Sequence, residues 1–132
     1  MHKKFLAIAA VAGGLAVAFG AFGAHGLEGI TKDEKILHGF QTGVQYQMVH
    51  SLALLVVALM FDKLPLTSLK WAGYCFITGI ILFSGSLYLL TLLKIQESPA
   101  VKYAGPITPL GGVFFLAGWF FLLLAAVKKK GS

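Results

Sequence analysis

The sequence predicts an all-α protein, an integral membrane bundle of four helices that forms a single domain over residues 1–132. Hydrophobic residues make up 58% of the chain and charged residues only 12%. A soluble domain is about a quarter charged, because its core needs a polar surface. A chain of 132 residues has room for one domain. Its apolar residues are gathered into four segments, near the length of about 20 residues with which a helix crosses a bilayer.

The first predicted span covers residues 5–24. Lys3 and Lys4 precede it, and small residues follow its most apolar part, a pattern that resembles a secretory signal peptide. The apolar run nevertheless continues to Ala24, which is long enough to cross the membrane. We therefore expect this segment to be retained as the first helix rather than cleaved.

The second predicted span, residues 46–61, belongs to a longer helix that starts near residue 33. Thr31 and Glu34 have the T-x-x-E spacing of a capping box, in which two side chains satisfy free amide groups at a helix start. A helix from 33 to 61 would be about 43 Å long, against a hydrocarbon core of about 30 Å. Its first turns, which carry Asp33, Glu34 and Lys35, should therefore project into the interface or into water.

The third and fourth predicted spans are residues 72–93 and 107–127, joined by a polar connection from 94 to 106. At the start of the fourth, Thr108 is the predicted N-cap and Pro109 the predicted first helical residue. Proline is favoured there because the N–H that it lacks would have no partner within the helix.

The charge pattern predicts orientation. All basic residues are lysines, and they border the apolar spans rather than forming a groove interleaved with aromatic residues, so the predicted partner is the lipid bilayer and not nucleic acid. One side of the membrane receives seven lysines and a single acid, Asp62, while the other receives four lysines and four acids. The seven are Lys3, Lys4, Lys63, Lys70, Lys128, Lys129 and Lys130. Because positive charge stays inside, both termini should lie on the cytoplasmic side of the plasma (inner) membrane.

Small residues predict how the helices pack. Lipid is as apolar as a leucine side chain, so helices associate in a membrane mainly by close backbone approach, which small residues permit. Small residues recur every four positions in the first span and are paired near the start of the fourth. The predicted packing residues are Ala12, Ala16, Gly20 and Ala24 in the first span, and Gly111 and Gly112 in the fourth.

Polar residues in the spans predict one cluster near the outer leaflet. The span interiors contain no Asp, Glu, Lys or Arg, whereas ion-coupled transporters generally bury such a group. The candidate cluster, for ligand binding or for structure, comprises His25, Tyr46, His50, Ser84, Ser86, Tyr88 and Thr108. We expect His25, Tyr46, His50 and Tyr88 to converge, because polar groups surrounded by lipid need hydrogen-bond partners.

The same residues do not predict catalysis. Zinc needs three or four ligands, and the spacing of His25 and His50 relative to the acids matches no known metal pattern. Ser84 and Ser86 have no histidine and acid in a nucleophilic arrangement. We therefore predict no catalytic residue, no metal site and no cofactor, with the histidines acting as hydrogen-bonding ties between helices.

Five ordered motifs carry a family resemblance over nearly the whole chain. They are Gly20-Ala21-Phe22-Gly23-Ala24-His25-Gly26-Leu27, Gln45-Tyr46-Gln47 through His50, Phe83-Ser84-Gly85-Ser86-Leu87-Tyr88, Ile107-Thr108-Pro109-Leu110-Gly111-Gly112, and Gly118-Trp119. This set resembles the domain-of-unknown-function family four-two-three, small bacterial inner-membrane proteins with mitochondrial relatives. The resemblance implies a four-span membrane protein of about this length, and it implies no particular activity.

Three functional hypotheses remain at this point. The first is a non-enzymatic accessory or assembly partner of a membrane complex, whose partner is another membrane protein or a second copy of the chain. The second is a binding or carrier protein that holds a small amphiphile, a lipid or a quinone, at the outer polar cluster. The third is a redox protein that uses its histidines to bind haem or a metal.

Overall fold

The computed structural model describes residues 1–128, and all regular secondary structure in that range is helical. The elements in chain order are α1 (Lys3–His25), a 3-10 turn (Leu27–Gly29), α2 (Glu34–Met60), α3 (Leu66–Gly79), a π-helical segment (Ile80–Ser84), α4 (Gly85–Ile95), the short α5 (Val101–Ala104) and α6 (Ile107–Val127). The three elements from Leu66 to Ile95 run on without a break and are called the α3–α4 rod below.

Four stretches in this part of the chain are long and apolar enough to cross a membrane: α1, α2, the α3–α4 rod, and α6 with the short helix before it. The predicted all-helical fold with four spans is thereby confirmed. Helix α1 and the α3–α4 rod extend past the predicted spans at both ends, whereas α6 has the predicted bounds, residues 107–127. Of the lysines used to predict orientation, Lys129 and Lys130 lie outside the described residues.

The start of α2 differs from the predicted capping box. Its N-cap is Asp33, whose Oδ1 accepts a hydrogen bond from the backbone N of Lys35 at 2.9 Å. Thr31 Oγ1 instead accepts from the backbone N of Asp33 at 3.2 Å, in the turn that precedes the helix. The capping-box prediction was wrong because aspartate caps a helix as well as threonine does, and here Asp33 stands next to the first helical residue.

The start of α6 also differs from the prediction. The helix begins at Ile107 after Pro106, and no side chain caps it. Thr108, predicted as the N-cap, lies inside the first turn, where its hydroxyl pairs with the hydroxyl of Ser86. Pro109 is the third helical residue rather than the first, a position still within the first turn, where backbone N–H groups have no partner in the helix.

The four spans are arranged around a central pair, α2 and the α3–α4 rod. Helix α1 packs on α2, and α6 packs on α3 and the π-helical segment. Gln47 of α2 reaches α1 and His50, one turn further on, reaches α6. Different sides of the rod contact the two outer helices, through Tyr88 for α1 and Phe83 for α6. The outer helices therefore lie on different sides of the central pair.

The two ends of the bundle are distinguished by what they carry. At the terminal end, the Met1 ammonium pairs with Asp62, and the backbone N of His2 donates to Ala58 O at 3.0 Å. The larger apolar core lies towards this end and includes Phe5, Leu54, Leu69, Phe76 and Ala125. At the loop end, where α1 joins α2 and α4 joins α6, Leu27, Phe40 and Val44 form a second core.

The predicted packing residues of α1 fall into two groups. Ala12 and Ala16 are buried, and a Cβ at Gly20 would lie 3.4 Å from Val44 Cγ1 on α2. Ala24, in contrast, is exposed. The spacing of four residues drifts round a helix of 3.6 residues per turn, so the last member of the predicted stripe has rotated away from α2.

The contact between α6 and the rod depends on one of the two adjacent glycines. A Cβ at Gly111 would clash with the backbone N of Phe83 in the π-helical segment, so this glycine permits close backbone approach. At Gly112 the nearest atom, Phe83 Cδ2, is 3.9 Å from the Cβ position, which is ordinary contact. Gly111 therefore sets the distance between the two elements, and Gly112 does not.

Candidate functional site

Helix α1 contacts the α3–α4 rod at two places, one near each end of α1, and a gap lies between these two contacts. At the terminal end the rings of Phe5 and Tyr74 meet edge to face, with centroids 5.3 Å apart. At the loop end the rings of Phe19 and Tyr88 meet with centroids 5.0 Å apart. Phe5 and Phe19 are separated by about 21 Å along α1, so the gap between the contacts covers most of a bilayer core.

This gap, which we call the lateral groove, has a volume of about 500 Å³. Most of its wall is aliphatic, and its back is closed by α2. Its lining residues are Ala7, Ile8, Val11, Ala12, Leu15, Phe19, Gln47, Ile77, Ile80, Ile81, Gly85 and Tyr88. Because these residues belong to three candidate membrane spans, the groove opens sideways at the depth of the hydrocarbon.

The π-helical segment forms part of both sides of the rod. Its first two residues, Ile80 and Ile81, line the groove, while Phe83 packs on Gly111 of α6. The following residue, Ser84, is buried and donates its hydroxyl proton to Gly43 O on α2 at 2.7 Å. Segments of this kind are often found at functional sites. Gly85 comes next, and a Cβ there would meet no atom within 4 Å.

Gln47 and Tyr88 are the polar residues in the groove wall. The Tyr88 hydroxyl donates to Gln47 Oε1 at 2.6 Å, and Gln47 Nε2 donates to the backbone O of Ala12 at 2.7 Å. The amide thereby joins α1, α2 and α4. Gln47 is only 4% exposed, whereas Tyr88 is half-buried. Tyr88 is accordingly the more exposed of the two residues.

His50 lies on the other side of the central pair, in contact with α6. Its Nδ1 is 2.7 Å from Tyr46 O and its Nε2 is 3.0 Å from Trp119 Nε1. A carbonyl can only accept and an indole N–H can only donate, so Nδ1 carries the proton and Nε2 accepts. The ring also stacks on Phe115 with centroids 3.6 Å apart. Both ring nitrogens are thus engaged in holding α2 against α6.

The remaining predicted residues are also placed by local bonds. Ser86 Oγ lies 2.9 Å from Phe83 O as well as against the Thr108 hydroxyl, so it ties α4 to α6. Tyr46 packs its ring on Phe83, with centroids 4.6 Å apart. His25 is exposed at the end of α1. Among residues 1–128, no group of three or more His, Cys, Asp or Glu side chains is placed to hold a metal ion.

The structure therefore divides the predicted cluster: Ser86 and Thr108 pair between α4 and α6, and Ser84 bonds to α2. Tyr88 meets Gln47 in the lateral groove, while Tyr46 and His50 face α6 on the other side, and His25 belongs to neither group. Sequence reasoning missed Gln47 and Trp119. Each carried a signal, because an amide or an indole N–H within an apolar span needs a hydrogen-bond partner.

Comparisons with known proteins agree with the family resemblance and with a membrane location. The profile of the family described as "Protein of unknown function (DUF423)" matches residues 19–112. The UPF0382 membrane protein YwdK of Bacillus subtilis is 49% identical over 127 residues, which cover 96% of this chain and 98% of the relative. The UPF0382 membrane protein SAB0533 of Staphylococcus aureus is 42% identical over 129 residues, covering 98% and 99%. A UPF0382 membrane protein of Haemophilus influenzae is 40% identical over 136 residues, covering 98% of each.

No solved structure matches the chain. With more than half of its length matched by the profile and relatives of this similarity along the whole chain, the protein belongs to the DUF423 family of membrane proteins.

Proposed function

We propose that this protein is a non-enzymatic membrane protein that holds the hydrocarbon chain of a membrane amphiphile in the lateral groove. The observation that carries the proposal is the groove itself. It has a volume of about 500 Å³, and it lies between the Phe5–Tyr74 and Phe19–Tyr88 ring contacts. This is the amphiphile-binding hypothesis, moved from the predicted outer cluster to the gap between α1 and the α3–α4 rod.

The shape of the groove favours a chain over a protein helix. The contacts of Phe5 with Tyr74 and of Phe19 with Tyr88 hold α1 against the rod at both ends. A packed helix needs an interaxial distance of about 8–10 Å on each side, for which these contacts leave no room. A single flexible hydrocarbon chain can lie along the aliphatic wall between the two ring contacts. There the chain exchanges its contacts with lipid for contacts with apolar side chains of the protein.

The side-chain chemistry favours binding over catalysis. A nucleophilic hydroxyl needs an adjacent base. The hydroxyl protons of Ser84 and Thr91 go to backbone carbonyl oxygens, and the Ser86 hydroxyl pairs with a carbonyl and with Thr108. His50, a candidate base, is already bonded at both nitrogens. The same bonds leave His50 without a free lone pair for a metal or haem, so His50 gives no support to the redox hypothesis.

A pair of glycine variants tests the proposal. Gly85 lines the groove with open space at its Cβ position, so Gly85→Leu should fill the groove without a clash. Gly14 also has open space but lies on α1 outside the groove, so Gly14→Leu is the matched control. Native mass spectrometry of protein released from native-lipid nanodiscs measures the retained amphiphile. We expect Gly85→Leu to lose the adduct at least tenfold and Gly14→Leu to keep it. Equal retention by wild type and Gly85→Leu would overturn the proposal.

The accessory or assembly role is a second candidate, favoured by a different face of α1. Ala10, Gly14 and Ala18 are exposed and spaced four residues apart, which suits close approach by a helix of another membrane protein. In the same experiment, loss of a co-purifying protein or of a second copy in Gly14→Leu, with retention in Gly85→Leu, would support this role. Loss of neither partner in Gly14→Leu would argue against it.

Orientation completes the proposal. We propose that the terminal end faces the cytoplasm and the loop end faces outward across the inner membrane, in accord with the excess of lysine near the termini. The Gln47–Tyr88 pair then lies in the outer half of the bilayer, since Tyr88 precedes the end of α4 by about 10 Å.

A further inference from the structure

We infer that the lateral groove selects an uncharged single-chain amphiphile with a hydroxyl group, and that this hydroxyl donates its proton to Tyr88 Oη. The inference rests on the proposed function and names the chemistry of the ligand's polar group. It follows from the direction of the hydrogen bonds in the groove wall and from the absence of charge among the lining residues.

The direction of the Tyr88 hydrogen bond determines what a ligand can do there. A phenol has one proton, and the Tyr88 proton goes to Gln47 Oε1 at 2.6 Å. An amide oxygen can only accept, and it is the oxygen that faces Tyr88 because the amide nitrogen of Gln47 donates to Ala12 O at 2.7 Å. Tyr88 Oη therefore retains free lone pairs and has no free proton to donate. A ligand hydroxyl can donate to it, whereas a ketone, ester or ether oxygen cannot.

The exposure of the two polar residues indicates that a ligand hydroxyl would bond to Tyr88 rather than to Gln47. Gln47 is 4% exposed and sits behind Ala12, whereas Tyr88 is half-buried at the loop end of the groove. A chain lying in the groove thus has its polar group beside Tyr88 and its tail towards Tyr74 at the terminal end. Gly85, one helical turn before Tyr88, leaves open space beside the phenol.

The lining also excludes a charged head group within the groove. Its twelve lining residues are aliphatic, aromatic, glycine or the neutral Gln47 and Tyr88. Tyr88 lies about 10 Å from the end of α4, inside the hydrocarbon, where an unpaired phosphate or carboxylate would be costly. An aliphatic alcohol meets both conditions, because it is neutral and supplies the proton that Tyr88 Oη can accept.

The test compares 1-dodecanol with its methyl ether, in which a methyl group replaces the hydroxyl proton, in competition for the full-length protein in nanodiscs. Bound amounts are read by native mass spectrometry. One hydrogen bond within a membrane corresponds to about a threefold preference, so wild type should prefer the alcohol by that factor. Tyr88→Phe should bind both probes with no preference, and Gly85→Leu should bind neither.

A second variant guards against a folding defect in Tyr88→Phe. Gln47→Leu removes the acceptor of the Tyr88 proton, so the phenol can donate to either probe and the alcohol preference should fall towards unity. Equal binding of alcohol and ether to wild type, with both lost in Gly85→Leu, would overturn this inference and leave the proposed function standing. Binding of neither probe to wild type, or undiminished binding in Gly85→Leu, would overturn the proposed function itself.

Discussion

His50 and Trp119 illustrate how single residues hold the bundle together. The Trp119 indole donates to His50 Nε2 at 3.0 Å, and the stacked Phe115 ring covers the imidazole. His50 is 4% exposed, so the Trp119 N–H is its buried partner at Nε2. Hydrogen bonds between helices in membranes contribute only about 0.6 kcal/mol on average, because polar groups also find partners in the unfolded state.

Trp119→Phe should therefore lower the free energy of unfolding modestly, by about 0.6 kcal/mol and by no more than roughly 1.7 kcal/mol. The change removes the indole N–H together with part of the aromatic ring, so a control for ring size is needed. Trp71→Phe is the control, because Trp71 is exposed and stacks on Phe121 at a centroid distance of 6.4 Å. Unfolding in mixed micelles measures both variants. Equal losses would show that ring size rather than the bond to His50 is responsible.

At the scale of elements, the α3–α4 rod is held in place by its π-helical segment. The widened turn presents Phe83 to α6 and Ser84 to Gly43 O on α2, so one short stretch contacts both neighbours. Such a segment was not predictable, since Gly79 to Gly85 has the composition of any apolar helix. Close approach of helices at glycines was predictable, because small residues permit it. Which glycine makes the closest contact could be decided only from the residue that faces it, as Phe83 faces Gly111.

Gly111→Ala should destabilise the protein more than Gly112→Ala, although the two residues are adjacent in α6. A Cβ at Gly111 would clash with the Phe83 backbone, which cannot move aside as a side chain can. Overpacking of this kind costs about 1–3 kcal/mol. At Gly112 the nearest atom is 3.9 Å from the added Cβ, so alanine should be tolerated. Thermal unfolding in nanodiscs compares them, and equal melting temperatures would contradict the packing assigned to Gly111.

At the scale of the whole molecule, the sequence predicted the number and type of spans well and the polar cluster less well. Span length and hydropathy depend on residues that are local in the chain. The cluster depends on the angle at which each helix faces its neighbours, which one sequence does not reveal. His50 and Tyr88 lie at comparable places along their helices but face different sides of the central pair. Helix α2 begins at Glu34, within one residue of the predicted start, although Asp33 rather than Thr31 caps it.

Orientation is testable by cysteine labelling on intact cells. In a Cys75→Ser background, which removes the single native thiol, Lys102→Cys at the loop end should react with a membrane-impermeant maleimide. Lys63→Cys at the terminal end should react after the cells are opened and not before. The opposite pattern would place the loop end in the cytoplasm, and the groove's polar pair would then lie in the inner half of the bilayer.

The packing of each outer helix on a neighbour in its own half of the chain has a consequence for biogenesis. Helix α1 pairs with α2, and α6 pairs with the rod that precedes it, so the protein consists of two consecutive helical hairpins. A growing chain can complete the first hairpin before the second has left the ribosome. Contacts between helices that follow one another in the chain also form at a low cost in conformational entropy. The groove, however, needs walls from both hairpins, so its binding capacity should arise last, when the second hairpin docks onto the first.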